Sequence, residues 1–69
     1  MSEALYKVQF HGWIITKQGW RSIFTDWLED HGRMDHLVNI YLNGYPLTPT
    51  IVVVLNDRTT AIMLKLSLG

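Results

Sequence analysis

The segment WRSIFTDWLEDH, residues 20 to 31, decides how the rest of the chain is read. Trp20, Ile23, Phe24, Trp27, Leu28 and His31 follow the i, i+3, i+4, i+7, i+8, i+11 spacing of one helical face. Arg21, Ser22, Thr25, Asp26, Glu29 and Asp30 fill the opposite face. Gly19 stands before the segment and Gly32 after it, so a permissive start and a left-handed C-terminal cap bracket about three turns of amphipathic helix.

Outward from the helix the period changes from 3.6 to 2. On the N-terminal side, Tyr6, Val8 and Phe10 alternate with Leu5, Lys7 and Gln9, the pattern of a half-buried strand. His11-Gly12 interrupts it and Trp13 to Thr16 resumes a β-rich composition. Leu5 to Lys17 is therefore a hairpin turning at His11-Gly12 or one long strand bent by a glycine bulge, and the usual strand length favours the hairpin. On the C-terminal side, Val38, Ile40 and Tyr41 make Leu37 to Leu42 a strand ending at Asn43-Gly44, a pair suited to a type I′ turn because both residues tolerate positive φ. The rival is a short second helix capped by Asp35 and Gly44. Tyr45 to Pro49 holds two prolines and reads as a loop or an edge.

Ile51 to Leu55 is apolar at every position, as expected of an interior strand covered on both faces or buried at a dimer seam. Asn56 to Thr59 makes a turn. Ala61 to Leu68 then alternates, with Ile62, Leu64, Leu66 and Leu68 against Met63, Lys65 and Ser67, and reads as a last strand. The sum is one α+β domain over residues 1–69, a small antiparallel sheet of four to five strands with the amphipathic helix packed on one face. One helix covers one side only. The second face, with Leu5, Met63, Tyr41 and half of the Ile51 to Leu55 run, meets a second copy in a homodimer or forms a binding surface.

Composition narrows the function. The chain has 69 residues, no cysteine, 48% hydrophobic and 12% aromatic residues, more than a core of this size easily hides. Six basic and six acidic residues cancel, which argues against a nucleic-acid binder held by phosphate contacts. The N-terminal Met-Ser-Glu-Ala lacks a secretory pattern, and the longest strictly apolar run, Ile51 to Leu55, is too short to span a membrane. A cytoplasmic protein is expected.

Candidate chemistry is sparse. His31, Asp35 and His36 are suitable metal ligands, but their spacing matches no familiar zinc pattern, so no metal or cofactor is assigned. There is no glycine-rich phosphate loop, no cysteine nucleophile and no serine in a nucleophile elbow, and Asp35 and His36 on a strand would point to opposite faces. No catalytic residue is assigned. Single-stranded nucleic acid could use Lys7, Lys17, Arg21 and Arg33 beside Trp13 and Trp20, though Asp26, Glu29, Asp30 and Asp35 would repel phosphate.

The oddity is electrostatic. Asp26, Glu29 and Asp30 crowd the C-terminal half of the helix while Arg21 sits in its first turn, the reverse of what the helix dipole prefers, and Asp26 repels Asp30 across one turn. The reading assigns Asp26, Glu29 and Asp30 to a protein partner with a basic surface, with Trp13, Tyr41 and Tyr45 as aromatic anchors.

Residues Leu5-Tyr6-Lys7-Val8-Gln9-Phe10-His11-Gly12-Trp13 resemble the N-terminal pattern Leu-x-Lys-Val-x-Phe-x-Gly-Trp of the Dmd-like small phage antitoxins, over nine of the 69 residues. The resemblance implies a phage-encoded stoichiometric inhibitor that binds and blocks a bacterial toxin of the ribonuclease type, without catalytic residues. Beyond Ile14 the chain departs from the pattern, so no binding residue is carried over.

Overall fold

A computed structural model describes residues 4–11, 19–44 and 49–68. Among these, three strands and two helices follow one another as β1 (Tyr6–Phe10), α1 (Trp20–Asp30), β2 (Leu37–Asn43), β3 (Thr50–Leu55) and α2 (Arg58–Leu68), with a 3-10 turn at Met34–His36 before β2. The fold is α+β. β3 lies between β1 and β2 and runs antiparallel to both.

The apolar run takes the place its composition demands. Every residue from Ile51 to Leu55 is buried, which only the central strand of the sheet allows. Ile51, Val53 and Leu55 share one face with their cross-strand partners Phe10, Val8 and Tyr6. Both helices pack on that face, α1 through Phe24 and Leu28 and α2 through Ala61 and Leu64. Phe10 and Phe24 meet with ring centroids 4.8 Å apart. Val52 and Val54 point to the opposite face, where they remain 2% and 5% exposed; Gln9 and Tyr41 flank the first, Lys7 and Asn39 the second.

The first helix forms as its spacing predicts. Phe24 and Leu28 are fully buried, while Trp20, Ile23 and Trp27 are half-buried against the core. Gly32 adopts φ 64°, and the Gly32 and Arg33 N–H groups donate back to the Glu29 and Leu28 carbonyls at 3.0 and 2.8 Å. This closes the helix with the paired bonds of a Schellman cap, for which a residue at positive φ is required.

The segment after Asp57 departs from the sequence expectation. Residues 61–68 belong to a helix, so the described residues hold three strands and two helices rather than four to five strands and one. Asp57 supplies the start signal: its carboxylate accepts the Thr60 N–H at 3.0 Å and the Thr60 hydroxyl at 2.6 Å, an N-cap bond three residues into the helix. Ala61, Leu64 and Leu68 then fall on one helical face toward the core, and Ala, Met, Leu and Lys all favour helix. Leu64 and Leu68 fit both periods, and the cap selects the longer one. Met63 is consequently half-buried on α2 and absent from the second sheet face.

Residues 37–43 form a strand and not the rival short helix, with a register shift between Leu37 and Asn39. The Asn-Gly turn is also revised. Gly44 has φ 74° but Asn43 does not have positive φ, and the last ladder pair is Asn43 with Thr50. Pro49, just before β3, lacks the N–H that a longer ladder needs, and the loop-or-edge reading of 45–48 lies outside the described residues. The expected second strand at Trp13 to Thr16, with the choice between hairpin and bent strand, lies outside the described residues.

The helical reading of α2 separates two leucines that the strand reading puts on one face. Leu64 is 0% exposed and Leu66 is 80% exposed. Leu64→Ala is expected to cost about 2–5 kcal/mol in urea unfolding, and Leu66→Ala less than about 0.5 kcal/mol. Equal losses at both positions would return the segment to a strand.

Candidate functional site

The Phe24 and Leu28 contacts that seat α1 on the sheet turn Asp26, Glu29 and Asp30 outward, and all three are exposed. The first turn of α1 holds no acid and the last turn no base, so the helix dipole is uncompensated at both ends. The Arg21 guanidinium lies 5.2 Å from the Trp20 ring centre instead of beside the acids. Among the described residues Arg33 and Asp57 form the one ion pair, and the three helix acids take no part in it. Tyr41 is half-buried on the sheet face opposite α1, across from Val52. The structure thus does not bring Tyr41 and the acidic stripe together. Trp13 and Tyr45 lie outside the described residues.

A second surface joins residues that the strand reading of 61–68 keeps apart. Among the described residues β1 is an edge strand, and an open groove of about 780 Å³ runs between it and α2. Leu5, Ile62 and Leu66 give it apolar walls and Lys7, Arg58 and Lys65 give it positive charge. Arg58, Ile62, Lys65 and Leu66 are spaced i, i+4, i+7, i+8, the signature of one helical face, which is hidden as long as 61–68 is read as a strand. Lys65 spans the groove: its ammonium donates to the Gln9 carbonyl at 2.6 Å and sits 4.9 Å from the Phe10 ring centre.

The histidines near the end of α1 have structural partners. The His31 ring stacks on Trp27 with centroids 4.1 Å apart, and its Nδ1 donates to the Trp27 carbonyl at 2.8 Å. His36 Nδ1 donates to Asn56 Oδ1 at 2.9 Å, while the His36 carbonyl accepts the Asn56 N–H at 3.0 Å. Among the described residues no group of three or more His, Cys, Asp or Glu is placed to hold a metal ion, and no helix is long and apolar enough to cross a membrane. Compared with protein-family models, curated proteins and solved structures, the chain matches none.

Arg33 links the two helices. Immediately after the α1 cap, its guanidinium donates to the Thr60 hydroxyl at 2.9 Å and reaches Asp57 at 3.4 Å. Thr60 is the one polar side chain among the buried described residues, and its hydroxyl both donates to Asp57 and accepts from Arg33. The Thr60 hydroxyl and N–H, followed by the charges of His36 and Arg33, outweigh desolvation and hold the Asp57 carboxyl below its ordinary value of 3.8. A depressed folded pKa contributes stability above the ordinary value, and the contribution is lost as pH falls through the folded value. Urea midpoints measured from neutral to acid pH are expected to fall less steeply for Asp57→Asn than for the wild type. Parallel acid limbs would show that this network does not supply the pH dependence.

Proposed function

We propose that the chain is a small protein-binding module that acts by occluding a target protein rather than by chemistry, a stoichiometric inhibitor of the antitoxin type. The observation that supports this reading is the outer face of α1. Asp26, Glu29 and Asp30 are three of the chain's six acids, and they stand exposed where the dipole disfavours them. Folding gains nothing from that placement, whereas a basic partner surface gains both encounter rate and selectivity. The Dmd-like pattern of residues 5–13 agrees with a phage-encoded inhibitor of a bacterial protein. Single-stranded nucleic acid is the less favoured reading, because Arg21 lies over Trp20 and Arg33 is engaged with Asp57 and Thr60.

The tagged chain and a variant carrying Asp26→Lys, Glu29→Lys and Asp30→Lys separate binding from folding. The variant relieves the dipole and the Asp26–Asp30 repulsion, so it is expected to be up to about 1 kcal/mol more stable than the wild type. In a nuclease-treated bacterial lysate it is expected to lose a stoichiometric protein that the wild type retains, and to bind the purified partner at least about tenfold more weakly. Equal retention by both chains, or recovery that vanishes on nuclease treatment, would contradict the proposal.

A further inference from the structure

We propose that the groove between β1 and α2 binds an extended acidic segment of a partner protein, which adds a strand to the sheet along β1. This site is separate from the acidic face of α1 and does not depend on the inhibitor reading.

Backbone geometry comes first. In an antiparallel ladder successive residues turn their N–H and C=O groups to alternate sides of the strand. The Gln9 carbonyl meets the exposed Lys65 ammonium, which puts the backbone groups of Gln9, and with them those of Lys7, on the side of β1 away from β3. By the same alternation the backbone groups of Tyr6, Val8 and Phe10 turn to β3. Among the described residues no strand pairs with the outer side, which offers donors and acceptors two residues apart, a spacing that another extended backbone matches.

The two edges of the sheet are treated differently. On β2 the ladder is broken by the register shift between Leu37 and Asn39, and the Ile40 N–H is taken by the Asn39 side chain at 2.8 Å. A bulge and a side chain that occupies its neighbour's donor are two ways of blunting an edge against pairing. β1 pairs in unbroken register from Tyr6 to Phe10, and Lys65 is the one side chain among the described residues that bonds to its outer side.

Charge selects the occupant. Lys7, Arg58 and Lys65 are three of the chain's six cations, and among the described residues no carboxylate lines the groove. Leu5, Ile62 and Leu66 are exposed there, three of the six exposed large hydrophobic residues among the described residues. An incoming strand alternates its side chains, so one set meets Ile62 and Leu66 on the α2 side and the other meets Lys7 on the far face. Its N–H replaces the Lys65 ammonium on the Gln9 carbonyl, and the released ammonium turns to one of its carboxylates. A second copy of this chain fits poorly. Pairing β1 with β1 would set Lys7, Arg58 and Lys65 of each copy against the same cations of the other, and β1 contains no acid to offset them.

The test uses the full chain and a fluorescent peptide of about six residues, alternating valine and glutamate, the usual length of a strand. Saturable binding is expected in anisotropy titrations, with amide NMR shifts centred on Lys7 and Gln9. Arg58→Glu and Leu66→Ser alter exposed side chains and are expected to keep the circular dichroism of the wild type while each weakens binding at least about fivefold. Replacing the glutamates by lysine, or methylating alternate peptide nitrogens, is expected to abolish binding. The proposal is overturned by no saturable binding, by a methylated or lysine peptide that binds as well, or by tighter binding of a single-stranded oligothymidine. A free chain that sediments as a dimer with Lys7 and Gln9 in the contact would also overturn it.

Discussion

Five consecutive apolar residues, Ile51 to Leu55, must be kept from water on both faces of one strand, and the rest of the architecture follows from that requirement. A strand can meet it only from the middle of a sheet, so β1 and β2 flank β3 and are the edges among the described residues. The face with Ile51, Val53 and Leu55 takes both helices. Val52 and Val54, on the other face, are buried outside the core cluster that the two helices join. Lys7, Gln9, Asn39 and Tyr41 stand beside the two valines as cross-strand neighbours, where long polar side chains can lay their apolar stems along them.

The same arrangement assigns the work of the loops and caps. The Schellman cap at Gly32 delivers Arg33 to the start of α2, and Arg33 with Asp57 and Thr60 ties the end of one helix to the beginning of the other. His36 and Asn56 fasten the start of β2 to the end of β3 through one backbone and one side-chain bond. These polar contacts are local and directional, and they fix which way two helices resting on one sheet face can lie.

Much of this was legible in the residues. α1 announced itself by a full helical stripe between two glycines, and β3 by its unbroken apolar run. β2 was read correctly from its β-branched and aromatic residues against a helical rival. α2 was missed because Ile62, Leu64, Leu66 and Leu68 satisfy a period of two while Ala61, Leu64 and Leu68 satisfy the helical one, and the deciding signal was an Asp57 cap embedded in what looked like a turn. The candidate sites inherited both outcomes. The acidic stripe could be seen because the periodicity that buries Phe24 and Leu28 exposes Asp26, Glu29 and Asp30. The groove could not, because its far wall exists only if 58–68 is helical; Tyr41 lies beside Val52 on the second sheet face, where the alternation of β2 puts it, and away from the acidic stripe.

A neutral chain that sets three acids outside α1 and three cations along β1 and α2 presents two surfaces of opposite sign on different elements, a form suited to recognition. The second of these rests on the claim that β3 is the centre of the sheet and β1 its open edge among the described residues. Native-state amide hydrogen exchange of the isolated chain tests that claim most directly. The β3 amides, together with Tyr6, Val8 and Phe10, are expected to exchange only through global unfolding, while the Lys7 and Gln9 amides between them exchange fast. Protection of Lys7 and Gln9 equal to that of their neighbours would mean that β1 is paired on both sides, and would contradict the account.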